Sequence, residues 1–447
     1  MKLSLFLLLF LNNLIALEVF TKDKIIEFMT KENPYIYTAT GQEHIYKQKE
    51  KYMLGNFDTK LSVKYDKKEY PVSKGDYVGV SVAKPIENGM EFNLGYRMAK
   101  GTQEYNNIKT SDQGEAQLGI KIPFFSVVND ISKRKLDLHN AALETTKSRF
   151  KSKDNLRLLY FEITSIYNKL LYHHTALQLE QALQERALKR KKIITKKVSI
   201  GELADIALIE VDQQVINRNQ RLISASNSYE NTLETFLKYL NLEKKSFKHT
   251  YTLPMMPEII TNKLVVYSLE NILNDRADLK VYNYQIKQIN LQNKQTNLLQ
   301  YPKFNIGLYG VHDFKYDNGF KISLDMDFPI ERRKYEAKSL ENRLSIKNIQ
   351  MNKEKKILNI QAKINNINNS MYTIAKNIQS SQKEVQLVEK LEEVENKKYK
   401  LGVSNLFMVN QREIYTLQIK MKLLKYQLDY INLEQELERE MGVSFKI

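Results

Sequence analysis

The stretch Lys397-Lys398-Tyr399-Lys400-Leu401-Gly402-Val403-Ser404-Asn405-Leu406-Phe407-Met408-Val409 separates two long apolar seams. Before it, Ile364, Ile367, Met371, Ile374 and Ile378 recur at spacings of 3-4-3-4; after it, Leu417, Met421, Leu424, Leu428 and Ile431 recur at 4-3-4-3. This is the heptad period of helices that pack side by side. Roughly 70 residues between Pro329 and Gly402 contain neither Pro nor Gly, enough for one helix of about 100 Å. Gly402 supplies the left-handed conformation that ends a helix, and Ser404 is placed to cap the next one by accepting a backbone N–H. The stretch reads as the tip of a long helical hairpin.

The same order occurs upstream. Leu156, Leu159, Ile163, Ile166 and Leu170 form a 3-4-3-4 seam. About 75 residues free of Pro and Gly lie between Pro123 and Gly201, and Ser199-Ile200-Gly201-Glu202-Leu203 makes a second tip. Pro123 and Pro329 are 206 apart (329 − 123), and Gly201 and Gly402 are 201 apart (402 − 201). Asn33-Pro34-Tyr35-Ile36 answers to Arg276-Ala277-Asp278-Leu279, 243 residues on (276 − 33). Two tandem repeats follow, the first carrying about 40 extra residues before Pro123.

Period-2 alternation fills the segments before each long helix. Phe57, Leu61, Val63 and Tyr65 begin the series, followed by Val78, Val80 and Val82, then Met90 to Met98, then Ala116 to Ile122. In the second repeat Phe304, Ile306 and Leu308 alternate, as do Phe320 to Phe328. Runs of about 8–11 residues with one apolar side match strands that cross a bilayer at a tilt. The extra residues of the first repeat are the second and third of these strands, joined through Pro85-Ile86-Glu87-Asn88-Gly89, where Asn-Gly favours a tight hairpin. Two placements follow for that pair. It either joins the wall, giving six strands per chain, or stands outside a four-stranded contribution. In the wall, loops near Lys67 to Asp76 and Gly101 to Gly114 face outward.

The remaining composition bounds the class. Lys2, the apolar Leu3 to Leu11 and Ile15-Ala16 before Leu17 read as an export signal over 1–16, too short to span a membrane as a helix. No later run is long and apolar enough to do so, so insertion requires a barrel. There is no cysteine, hence no disulfide or thiolate metal site. The net charge of +17 is spread along solvated helix faces, and no nucleic-acid footprint stands out. His173-His174 point to different sides of a helix, and no phosphate loop, zinc spacing or nucleophile elbow occurs. The residues offer no chemistry: no enzyme, cofactor or metal is expected.

This organisation resembles the TolC-type outer-membrane efflux protein family over essentially the whole chain after residue 16. Tyr399-Lys400-Leu401-Gly402-Val403-Ser404, with Leu406 and Val409, is similar to the family's periplasmic hairpin turn. Gly319-Phe320-Lys321-Ile322-Ser323, ending in Phe328-Pro329, is similar to the strand entering the long descending helix, and Arg276-Ala277-Asp278-Leu279 to a helix start. The resemblance implies an α+β fold of long antiparallel α-helical hairpins plus membrane β-barrel strands. The barrel is closed by a homotrimer, and the helical part lies in the periplasm of a Gram-negative cell. On this reading 17–240 is the first repeat, 241–262 the linker and 263–447 the second repeat. It also implies a passive exit duct for small molecules or proteins, in efflux or type I secretion. An inner-membrane RND or ABC pump drives it through a periplasmic adaptor. Ile200, Gly201, Glu202, Leu203, Leu401, Gly402, Val403 and Ser404 would then be the adaptor-contact tips. Two entrance aspartates of the family fall here on Met408 and Gln411, which carry no charge; Glu202 and Asp205 could replace them at the other tip. The competing reading is an exported periplasmic coiled-coil or adaptor protein without a pore.

Overall fold

A computed structural model describes residues 17–71, 73–101, 109–258 and 269–443. The expected signal over 1–16 lies outside these residues, as do 259–262 of the expected linker and 102–108 of the Gly101–Gly114 loop. In chain order the elements are β1 (Glu18–Val19), α1 (Lys24–Phe28), α2 (Pro34–Leu54), β2 (Lys60–Tyr70), β3 (Ser73–Pro85), β4 (Glu91–Gly101), β5 (Glu115–Pro123) and α3 (Phe124–Val128). There follow α4 (Lys133–Ser199), α5 (Ile206–Leu240), α6 (Lys244–Thr250), β6 (Tyr251–Thr252) and α7 (Leu269–Asp275). The chain closes with α8 (Ala277–Leu298), β7 (Lys303–Asp313), β8 (Asp317–Asp327), α9 (Arg333–Lys400) and α10 (Leu406–Glu440). The seams without Pro or Gly become α4 and α9, of 67 and 68 residues.

The chain divides into two compact units. The first contains residues 17–39, 155–258, 269–272 and 360–443 among those described. Its core is built around Phe20, fully buried, whose ring meets Tyr251 at 5.2 Å, Phe247 at 5.3 Å, Phe236 at 5.5 Å and Tyr167 at 6.0 Å. The Tyr167 hydroxyl donates to the Phe20 carbonyl at 2.7 Å, and β1 pairs in parallel with β6. The expected linker is therefore partly regular structure, since α6 and β6 hold the β1 strand in place.

The second unit contains residues 40–154 and 273–359. All six expected strands form one antiparallel sheet in the order β2-β3-β4-β5-β7-β8. The β3–β4 pair is thus part of the sheet, between β2 and β5. The first strand begins at Lys60, because Gly55–Phe57 forms a 3₁₀ turn. The expected outward loop at Lys67–Asp76 is mostly strand, with Lys67 paired to Asp76 and Tyr70 to Ser73. Beneath the sheet, Lys147 and Gln288 hydrogen-bond at 3.0 Å between α4 and α8, and Phe150 stacks on Tyr284.

Candidate functional site: the two-faced sheet and the hairpin tips

Because paired residues share a face, the register sorts the sheet into two surfaces. One row runs Leu61, Val82, Leu94, Leu118, Gly310 and Phe320; the next toward the helix ends runs Lys84, Phe92, Ile120, Leu308 and Ile322. Val63, Tyr65, Val78, Val80, Tyr96, Met98, Ile306, Leu324 and Met326 share this face. It is apolar yet uncovered: Leu61 is 69% and Phe320 83% exposed. An apolar surface of this continuity requires a membrane or a partner.

The opposite face carries Lys64, Asp66, Arg97, Glu115, Lys121, Lys321, Asp325 and Asp327. Arg97 pairs with Glu115. Lys64 and Lys321 sit over the rings of Tyr77 and Tyr309 at 5.9 and 5.8 Å. These rings lie flat on glycines: a Cβ at Gly79 would come 2.6 Å from the Tyr77 hydroxyl, and one at Gly119 would overlap the Tyr309 ring. Apolar on one side and polar on the other is the pattern of a wall between lipid and water.

The β3–β4 turn is fastened to the start of α4. Ser132 Oγ donates to the Glu87 carbonyl at 2.6 Å while accepting from Lys135 N–H, and Arg134 pairs with Glu91 at 3.0 Å. Gly89 has φ +95°, and a side chain there would press on Pro123 and Ser132.

The two tips share one geometry. Gly201 N–H bonds the Val198 carbonyl and Glu202 N–H the Lys197 carbonyl; Gly402 N–H bonds Tyr399 and Val403 N–H bonds Lys398. Both glycines have φ +79°, with no neighbour where a Cβ would stand. This is the two-bond closure that satisfies the last helical carbonyls around a left-handed residue. Ser404 does not cap α10. Its hydroxyl bonds Glu395 instead, and Asn405, one residue nearer the helix, accepts from Met408 N–H at 3.0 Å. Apolar side chains are left uncovered at both tips: Ile200, Leu401 (78% exposed) and Val403. Leu203 packs into a small cluster with Ile194, Val211 and Leu406. Met408 and Gln411 lie exposed on the first turns of α10; Glu202, paired with Lys197, and Asp205 are exposed in the α4–α5 loop.

Sequence reading missed a buried ionic cluster joining the two hairpins. Glu413 of α10, its side chain 1% exposed, takes Arg190 of α4 at 2.6 Å and also pairs with Arg218 of α5. Arg218 further donates to the Leu183 carbonyl at 2.9 Å and to Asn410 Oδ1 at 3.2 Å. Burial works against the carboxylate, but the two guanidiniums outweigh it and hold Glu413 below the usual carboxylate range. Burial also lowers Arg218, which remains a cation. The signal was present: continuing the α10 seam back from Leu417 reaches Glu413, Asn410 and Leu406, so a charge stands at a seam position.

Among the described residues no helix is long and apolar enough to cross a membrane, and no cluster of His, Cys, Asp or Glu could hold a metal ion. Burial lowers both His173 and His174, which keeps them neutral near pH 7.

No protein-family profile and no curated protein sequence matches the chain. Solved structures do. The outer membrane protein VceC from Vibrio cholerae shares 11% identity, with 95% of this chain and 97% of that one covered at a TM-score of 0.69. The CmeC outer membrane channel of Campylobacter jejuni gives 12% identity, coverages of 94% and 85%, and a TM-score of 0.69. The open state of the Neisseria gonorrhoeae MtrE outer membrane channel gives 14%, 94% and 88%, and 0.70. The fold is therefore that of TolC-type outer-membrane channels.

Proposed function

We propose that the chain forms a passive exit duct in the outer membrane of a Gram-negative cell. It works as a homotrimer, fed by an inner-membrane pump of the RND or ABC class through a periplasmic adaptor. The single observation that carries this reading is the sheet with one continuous apolar face and one polar, charged face. A pore-free coiled coil has no use for such a sheet. The likeness to outer-membrane channels supports the same reading. The polar face becomes the wall of a water-filled lumen, wetting Lys64, Asp66, Arg97 and Lys321. The apolar face meets lipid, where hydrogen bonding within the sheet satisfies the backbone.

The tips offer adaptor contact. Ile200, Leu401 and Val403 present apolar surface on helix ends whose backbone is already satisfied, so docking requires no rearrangement of Gly201 or Gly402. Cargo passes without chemistry. Because Met408 and Gln411 are neutral, charge at the entrance rests on Glu202 and Asp205. Membrane fractionation with native mass measurement tests the proposal. A trimer in the outer-membrane fraction supports it; a monomer that stays soluble after the signal is removed overturns it.

A further inference from the structure

β2 and β8 are the two end strands of the sheet, each with one neighbouring strand. Each is eleven residues long. A long end strand is a template for another chain unless it is blunted. Here neither contains Pro, and each carries exposed apolar residues on its outward side.

The apolar band shows how the strands lie in a membrane. The row of partners through Val63 ends at Asn318 in β8, whereas the apolar run of β8 is centred on Leu324, six residues along (324 − 318). Keeping the band level therefore means tilting the strands. Six residues of drift over a six-strand repeating unit, at about 3.3 Å per residue and about 4.8 Å per strand, give a tilt of roughly 35°. That is the tilt of closed barrels.

We infer that β2 of one copy pairs antiparallel with β8 of the next, Val63 opposite Leu324, so that three copies close a ring of eighteen strands. The inference rests on the trimeric duct proposed above and names the contact that closes it. With Val63 opposite Leu324, all eleven residues of each strand find a partner, Lys60 opposite Asp327 through Tyr70 opposite Asp317. The polar face then pairs opposite charges twice, Lys60 with Asp327 and Asp66 with Lys321. A register two residues away in one direction sets Lys68 against Lys321. The contact is head-to-tail and forms a ring where the rotation between copies closes, and β2 rises where β8 falls, so the alternation continues through the junction. Because β3 and β4 lie within the sheet, each copy contributes six strands.

Cysteine pairs in this Cys-free chain test the register, since paired strands place Cα atoms within disulfide range. On mild oxidation of the membrane-embedded protein, D66C/K321C should yield a covalent trimer in denaturing gels. The shifted pairs D66C/S323C and D66C/G319C should yield at least about tenfold less. Stronger cross-linking of a shifted pair, or a covalent dimer from D66C alone, overturns the inference. Native mass separates the two readings: a trimer without any β2–β8 cross-link defeats the edge pairing and leaves the duct intact, whereas a monomer defeats both. If the cysteine pair does not assemble, charge exchange decides. D66K should lower the share of detergent-resistant trimer and D66K/K321D should restore it; no restoration overturns the register.

Discussion

Replacing Glu413 with Gln tests whether the buried ionic cluster holds the two hairpins together. The substitution keeps the shape but removes the carboxylate that bridges Arg190 and Arg218, whose side chains are 14% and 3% exposed. Breaking a buried pair from one side costs about 3–5 kcal/mol, because the remaining charges stay desolvated. Gln retains some hydrogen bonding, so the lower end applies, about 3 kcal/mol, or roughly 150-fold in an opening equilibrium. Hydrogen exchange over 183–194 and 406–417 is the assay, and protection should fall by about that factor. Replacing all three by Met should recover much of the loss, since well-packed apolar residues serve as well. The pH dependence has a defined sign. The folded-state value of Glu413 is depressed, so its contribution is fully present above the unfolded value of about 4.3 and is lost as pH falls below it. In wild type the same segments should therefore lose protection in acid, and E413Q should not show that step. Protection within about twofold of wild type at pH 7 would refute the reasoning, because it would mean that water already solvates the guanidiniums.

Gly402→Glu should leave the trimer folded and abolish export, whereas Gly402→Ala, carrying a similar positive-φ cost of about 1–2 kcal/mol, should export; native mass and an export assay check both. With neutral Met408 and Gln411, single-channel recordings should show weak cation selectivity and little block by trivalent cations. Tight block that vanishes in E202Q/D205N would instead assign the charged ring to the first tip. Phe92→Cys and Leu94→Cys lie on the apolar face, 47% and 56% exposed, and should be quenched from lipid; labelling by an impermeant external thiol reagent would remove β4 from the wall.

Much of this architecture was legible because it rests on period. Alternation at Phe92–Met98 and Phe320–Phe328 marks one-sided strands whatever their neighbours, and long stretches without Pro or Gly leave helix as the economical reading. Strand order was not legible. Both placements of the β3–β4 pair satisfy the same alternation, and only the register, with Ser132 fastening Glu87, puts it inside the sheet. Ser404 misled because capping depends on one residue of chain geometry, and Asn405 sits at the correct one. Phe20 gave no periodic signal: its burial depends on Phe236 and Phe247, over two hundred residues away (236 − 20 = 216). Glu413 was readable as a charge in a seam, but its two arginines come from other helices, and a single seam does not show which.

The most direct test of the duct itself is electrical. Purified, detergent-extracted protein added to one side of a planar lipid bilayer should insert in discrete, uniform conductance steps, as an open water-filled wall of Lys64, Asp66, Arg97 and Lys321 requires. A protein that assembles as a trimer and binds the bilayer without any conductance step, even after the E413Q substitution loosens the tips, would contradict the account.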